Sequence, residues 1–162
     1  MKYEILKDEF IEFNDRKLYR IKALKDFCDV IKGAVGGYIE SERNLSHEGD
    51  AWVSGNARVY GNAQVSGNAW VYGDAWVSGN ARVSGNNAVV WFSNVGTENG
   101  TLTVYCGKNG LITTRGCFTG SVEEFLAKSA EVHDEKTKRE YELLIEVARS
   151  RLKEAQGNIG SE

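Results

Sequence analysis

The chain has 162 residues, and its 20 Lys and Arg against 23 Asp and Glu leave a net charge of −3. This length suits one domain, or one domain with a small appendage, and the balanced charge argues against duplex nucleic acid as a partner. Three cysteines without CxxC spacing, two distant histidines and no long apolar stretch predict a cytoplasmic protein with no disulfide framework, metal, cofactor or membrane span.

The first segment, residues 1–34, is predicted to form a β-hairpin cap. Alternating apolar and polar residues over 10–13 and 18–21 flank the sequence Asn14-Asp15-Arg16-Lys17. Alternation on both sides of an Asn-Asp turn is typical of two antiparallel strands.

Residues 49–84 repeat one six-residue frame, Gly-[Asn/Asp]-Ala-x-Val-[Ser/Tyr], six times without a gap. Ala and Val are two positions apart, so both side chains lie on one face of a short strand, and the Gly-Asn pair turns a corner. This period predicts a β-solenoid rather than a helix or a linker. Val89 and Val95 follow in phase, and Ile39 and Leu45 precede Ala51 in phase, so we expect the repeat to cover 35–96.

The frame resembles the hexapeptide repeat of left-handed parallel β-helices, which places an aliphatic residue first and a small residue four positions later. The resemblance implies a mainly β fold with three hexads in each triangular coil, and so a left-handed parallel β-helix of about three coils. Prisms of this family associate as trimers, so the resemblance also implies a homotrimer or a higher assembly.

The variable positions of the frame form the candidate ligand-binding surface. Residues 18 apart should stack, which places Trp52 over Trp70, Arg58 over Trp76, and Gln64 over Arg82 on three outward faces. Aromatic rings beside arginines suit a nucleobase and its phosphates, and exposed tryptophans also suit subunit packing. The predicted ligand-binding residues are Trp52, Arg58, Tyr60, Trp70, Tyr72, Trp76 and Arg82.

The last segment, residues 97–162, is predicted to hold a β-hairpin and two helices. Strands over 101–106 and 111–115 flank a turn containing Asn109-Gly110. Ser121 and Glu124 form a capping box, so a short helix should begin at Val122. A longer helix over 135–155 carries one apolar stripe that needs a partner, either the hairpin of the same chain, which is the more common outcome, or a copy of the helix itself. The stripe consists of Tyr141, Ile145, Ala148, Leu152 and Ala155.

The chain beyond the repeat resembles small β-helix proteins of phages and prophages. The resemblance rests on Gly36-Gly37-Tyr38-Ile39-Glu40 before the repeat and on the run from Gly116 to Phe125 after it. It implies a phage origin. This origin and the outward Trp and Arg residues together lead to the hypothesis of a non-catalytic protein that counters host antiviral defence by sequestering a nucleotide-derived signal at grooves between subunits. An inhibitor that binds a host defence protein, including one of the anti-CRISPR type, through the aromatic faces is the alternative.

Many hexapeptide-repeat proteins are acyltransferases with a histidine base, so an enzyme remains a further alternative. By phase, His47 falls in a Val slot of the degenerate coil, where a structural histidine is the more common outcome. Cys106 and Cys117 have no neighbouring histidine and are expected to be small core residues rather than nucleophiles.

Overall fold

The computed structural model describes residues 1–85, 88–107, 110–116 and 118–160, with the backbone alone over 153–160. The chain is mostly β, with parallel strands in its central part and two helices at its C-terminal end. Neither helix in the described part is long and apolar enough to cross a membrane.

The predicted N-terminal hairpin is confirmed. Strand β1 (Tyr3–Phe13) pairs antiparallel with β2 (Arg16–Ala23), and the two residues between them, Asn14 and Asp15, have φ values of 49° and 63°. Two left-handed residues make the tight turn whose twist matches that of the flanking strands. Strand β3 (Val35–Ile39) then pairs antiparallel with β2 and joins the hairpin to the repeat.

The repeat folds into six two-residue strands that stack in parallel with a spacing of 18 residues, as the frame predicts. Every Ala and Val slot of the six copies is at most 1% exposed, so these two positions form the core of the coils. Each corner glycine from Gly49 to Gly79 has a φ between 60° and 73°, a conformation that costs glycine little. The strands are β4 (Trp52–Val53), β5 (Arg58–Val59), β6 (Gln64–Val65), β7 (Trp70–Val71), β8 (Trp76–Val77) and β9 (Arg82–Val83).

The six-residue phase of the repeat was expected to continue unchanged before residue 49, and this expectation is wrong by two residues. Ile39 lies beside Val59 and Leu45 beside Val65, each 20 positions apart, whereas Val53 lies beside Val71, 18 positions on. Ile39 and Leu45 therefore occupy Val slots rather than Ala slots. The two additional residues lie between Leu45 and Val53, where the chain leaves the regular coil path.

The repeat also ends earlier than the expected limit near residue 96. Val89 and Val95 belong to β10 (Val89–Val95), which pairs antiparallel with β11 (Gly100–Gly107) rather than stacking on a coil. The four-stranded antiparallel sheet has the order β10-β11-β12-β13. Its other strands are β11 (Gly100–Gly107), β12 (Gly110–Arg115) and β13 (Phe118–Ser121).

The hairpin predicted over 101–115 corresponds to β11 and β12 and is confirmed. The turn residues Lys108 and Asn109 lie outside the described residues, as does Cys117. Strands β10 and β13, which complete the sheet on both sides, were not predicted. That the segments 1–34, 35–96 and 97–162 are separate domains stays a prediction.

Both predicted helices are present. Helix α1 (Val122–Val132) begins with the predicted capping box, in which Ser121 Oγ accepts from the Glu124 amide at 3.0 Å and Glu124 accepts from the Ser121 amide at 2.9 Å. Helix α2 (Glu135–Gly160) packs its apolar stripe on β10, β11 and α1 of the same chain. The stripe residues Tyr141, Ile145, Ala148 and Leu152 are at most 1% exposed, and the side chain of Ala155 lies outside the described part.

Candidate ligand-binding site

Four side chains form a ladder of alternating cations and aromatic rings across strands β2, β3, β5 and β8. Backbone pairing places Arg20 beside Tyr38, Tyr38 beside Arg58, and Arg58 beside Trp76. The Arg20 guanidinium lies 4.3 Å from the Tyr38 ring centroid, and the Arg58 guanidinium lies 4.4 Å from that of Trp76. We call these four residues the cation–aromatic ladder, and its lower half confirms the stacking predicted for Arg58 and Trp76.

Phe13 closes one side of the ladder. Its ring meets Trp76 edge-on at 4.8 Å and lies 5.2 Å from the Arg58 guanidinium. Phe13 reaches this position because β1 ends at the tight turn of the hairpin. Arg58 thereby lies against two rings, which is the geometry of a cation–π contact.

The two arginines of the ladder differ in what their N–H groups contact. Arg20 donates to the carbonyl oxygens of Gly36 and Gly55, both at 2.9 Å, and is used in holding the hairpin on the coils. For Arg58, no carboxylate oxygen of the described residues lies within 4.0 Å. Partial burial lowers the pKa of the Arg58 guanidinium, yet arginine stays protonated in proteins, so this cation is partly desolvated and open to an anion.

An open cleft of about 440 Å³ lies beside the ladder and is bounded by three parts of the chain. Tyr38, Arg58 and Trp76 form its solenoid wall, Ile11 of the hairpin lies on another side, and Arg115 of β12 contributes a second cation. Asn56, Asp74 and Thr114 also line the cleft. We call this the Arg58 cleft.

Arg115 is positioned by the C-terminal module. Its Nε donates to the Tyr141 hydroxyl at 3.0 Å, and Tyr141 is 1% exposed in the α2 stripe. The bond involves Nε and neither of the two terminal nitrogens of Arg115. A residue of helix α2 therefore helps to hold a cation that lines the cleft.

One corner of the solenoid adds a carboxylate to the cleft. Asp74 stands where most copies of the frame have Asn, 18 residues after Asn56, which lines the same cleft. Asp74 is exposed, and among the described residues it has no ion pair within 4.0 Å. The cleft thus combines two guanidinium groups, one carboxylate, one carboxamide and aromatic rings.

The predicted outward exposure of Trp52 is wrong. Trp52 pairs with Trp70 as expected, but it is only 3% exposed. Tyr3 and Phe27 meet its ring edge-on at 6.4 Å and 5.3 Å, and the backbone at Gly36 lies directly over it. The N-terminal segment covers this face of the solenoid, so Trp52 belongs to the core.

Tyr60 is also largely covered, at 7% exposure, beneath the end of the hairpin. Phe13 meets its ring edge-on at 5.5 Å, and the Arg16 guanidinium lies 5.6 Å from its centroid. Burial raises the pKa of the Tyr60 hydroxyl. Tyr60 therefore supports the residues beside the Arg58 cleft and does not line it.

Trp70 and Tyr72 lie in a different groove, of about 380 Å³, between the solenoid and the C-terminal module. Tyr72 is 52% exposed and meets Trp91 edge-on at 4.6 Å, and the Trp70 indole donates to the Asp50 carbonyl at 3.0 Å. Arg82 is exposed on the third face, where it donates to Gln64. The structure therefore divides the seven predicted residues among separate places, and only Arg58 and Trp76 meet in the Arg58 cleft.

His47 does not occupy the Val slot expected for it, because the two additional residues displace it from the coil. Its ring stacks on Tyr3 with centroids 4.1 Å apart, and its Nδ1 accepts from the Lys2 amide at 3.2 Å. Its Nε2 lies 2.7 Å from Glu42, and carries the proton since Nδ1 accepts. Both ring nitrogens thus have protein partners, as a structural histidine requires.

The cysteines and metal-ligating side chains add little to the site. Burial raises the pKa of the Cys106 thiol, which packs between the two apolar clusters of the chain. Among the described residues, no three His, Cys, Asp or Glu side chains are grouped so that they could hold a metal ion.

Sequence reasoning missed Tyr38, Asp74 and Arg115. Tyr38 lies 20 rather than 18 positions before Arg58, so the fixed period could not place it. The departure from Asn to Asp at position 74 was a visible signal. Nothing in the local pattern predicts that Arg115 faces the solenoid, because that depends on how the antiparallel sheet docks.

Comparison with known proteins supports the repeat assignment. A family model described as the YdcK beta solenoid repeat matches residues 51–64 and 63–79, which lie within the clean copies of the frame. Over these residues the chain is similar to that family, and it is a β-solenoid repeat protein. No curated protein matches the chain.

Proposed function

We propose that the chain is a non-catalytic binding protein whose Arg58 cleft holds a nucleotide or a nucleotide-derived signal. The observation that carries this proposal is the Arg58 guanidinium, held between Phe13 and Trp76 without a carboxylate partner among the described residues. A cation fixed in place before binding loses little conformational entropy when an anion arrives.

The composition of the cleft supports a ligand with both an anionic group and a planar ring. Arg58 and Arg115 exceed the single carboxylate of Asp74, so the cleft favours a negative charge, and guanidinium groups match phosphate geometry. Arginines cover part of the Trp76 and Tyr38 rings, and the part of each ring that is exposed in the cleft offers surface for a base. The volume of about 440 Å³ falls in the range of small-molecule sites.

The wider setting of the proposal follows from the resemblances of the sequence. The coils, about three in number, wind left-handed as in the hexapeptide family, and the protein is a homotrimer or a higher assembly of phage or prophage origin. In an infected bacterial host it binds a nucleotide signal of an antiviral defence system without changing it chemically. Denaturing the protein therefore releases the nucleotide intact.

The test is a panel of mononucleotides, cyclic nucleotides and ADP-ribose derivatives, measured by thermal shift and calorimetry. A ligand at 100 times its Kd stabilises the fold by about 2.7 kcal/mol. Arg58→Gln should weaken binding at least tenfold while leaving the unliganded melting temperature within a few degrees, since the group it removes is partly exposed.

Arg82→Gln is the matched control, because Arg82 occupies the same slot of the frame on a face outside the cleft. Its binding should equal that of the unaltered chain. If no nucleotide shifts the melting temperature, or if both variants bind as the unaltered chain does, the proposal is wrong.

A second candidate, an inhibitor that binds a host defence protein, is favoured by the groove of Trp70, Tyr72 and Trp91. Tyr72 is 52% exposed, and large aromatic side chains are enriched at protein interfaces. Protection of phage during infection separates the candidates. Under the inhibitor hypothesis, Tyr72→Ser should abolish protection, and the variant should fold because the frame has Ser or Tyr at this position. Under the nucleotide hypothesis, Arg58→Gln should abolish protection.

A further inference from the structure

The second corner residue of the frame is Asn in four copies and Asp only at positions 50 and 74. Stacking at 18 residues places Asp74 in one column with Asn56, and both line the Arg58 cleft. The other exception, Asp50, does not line that cleft. One carboxylate therefore departs from the frame at the corner column that lines the Arg58 cleft.

We propose that the Asp74 carboxylate accepts hydrogen bonds from the base of the bound nucleotide. The cleft then prefers guanine-type bases, which present two adjacent N–H donors. The inference rests on the proposed function of the same cleft and specifies its ligand class.

The chemistry of a carboxylate explains the preference. Ionised Asp accepts hydrogen bonds and donates none, so it pairs with neighbouring donors and disfavours an acceptor at the same place. Guanine offers its N1–H and its 2-amino group side by side, whereas adenine has a lone pair at N1. A site built around a polar group discriminates strongly against a ring that leaves this group unpaired.

The placement of Asp74 suits this role. Asp74 and Trp76 are two positions apart and line the same cleft, and the intervening Ala75 points into the core with 0% exposure. Two residues of chain span at most about 7 Å. A base against the ladder can then reach the Asp74 carboxylate with its edge while its phosphate contacts Arg58 or Arg115.

Asp74 is also available for a ligand. Asp74 is exposed, and among the described residues no Lys, Arg or His nitrogen lies within 4.0 Å of its carboxylate. With two arginines and one carboxylate, the cleft keeps a net charge of +1. The site can therefore select the ring without losing its attraction for the phosphate.

Calorimetric titration with GMP, IMP and AMP, and with cyclic dinucleotides of guanine and of adenine, tests the inference. Guanine ligands should bind at least tenfold more tightly than adenine ligands, with IMP, which keeps N1–H and lacks the 2-amino group, between them. Asp74→Asn should remove most of this preference. Asn is the usual residue of the frame at this corner, so the variant should keep the fold.

Asp50→Asn is the matched control, since it makes the same change at an equivalent corner outside the cleft. It should leave the preference unchanged. Equal binding of guanine and adenine ligands, or an unchanged preference in Asp74→Asn, overturns this inference and leaves the proposed function standing. Failure of every nucleotide to bind overturns both.

Discussion

The side chain of Lys2 lies almost fully buried at the start of the solenoid. Its Nζ donates to the Ala51 carbonyl at 2.6 Å and to the Gly49 carbonyl at 3.4 Å, and it lies 4.9 Å from the Phe27 ring centroid. Burial lowers the pKa of Lys2 from 10.5 to about 8, and the nearby Asp50 offsets only part of that effect. Carbonyl oxygens accept from a neutral amine as well, so these contacts survive deprotonation.

This depressed pKa predicts a pH dependence of stability. Between pH 8 and 10.5 the unfolded chain binds a proton at Lys2 that the folded chain has released, so the free energy of unfolding rises with pH. From pH 7.5 to 9.5 we expect a gain of about 1–2 kcal/mol from this residue. Urea denaturation over this range measures it. The rise should vanish in Lys2→Met and persist in Lys32→Met, which alters an exposed lysine.

At the scale of the structural element, the corners of the coils are unequal although their sequence is the same. Gly67 and Gly79 both have positive φ, 60° and 69°. A Cβ on Gly67 would collide with the Ser84 carbonyl oxygen of the next coil, whereas a Cβ on Gly79 would meet nothing within 4 Å. The difference arises because a further chain segment lies next to the first corner and not next to the second.

We therefore expect Gly79→Ala to cost about 1 kcal/mol of unfolding free energy, the strain of a left-handed residue, and Gly67→Ala to cost about 2 kcal/mol more. Both substitutions change the unfolded chain equally, so the difference reports on the folded coil. Denaturant unfolding of the two variants gives the comparison. Equal costs would show that the corner at Gly67 relaxes freely.

The same element scale shows what the sequence could and could not predict. Repetition determines the inner slots and the 18-residue register, because every copy must bury the same two side chains, and so Arg58 over Trp76 was predictable. The site also needs Tyr38 and Arg115, whose positions depend on a two-residue irregularity and on docking of a separate sheet. Trp52 was mispredicted for a related reason: a segment distant in sequence covers it.

At the scale of the whole molecule, the last coil is closed by side chains of the C-terminal sheet. The backbone amides of Trp76 and Ser78 donate to Thr103 Oγ1 and to the Tyr105 hydroxyl, both at 3.1 Å, and the Trp76 carbonyl accepts from Thr114 at 2.7 Å. An open row of such groups would pair with another chain. At this edge of β8, hydroxyl groups take the place of a further strand.

Removing one of these hydroxyls should expose the cost of an unpaired edge. Tyr105→Phe leaves the Ser78 amide buried without its partner, so we expect a loss of about 1–3 kcal/mol of unfolding free energy. The loss should shrink above pH 10, because burial raises the pKa of Tyr105 to about 12 while the unfolded tyrosine ionises near 10. The hydroxyl therefore contributes less to stability as pH rises through this window.

Tyr72→Phe, at an exposed ring, is the control and should change stability by less than about 0.5 kcal/mol. A Tyr105→Phe variant as stable as the control would show that the bond from the Ser78 amide to this hydroxyl does not stabilise the fold.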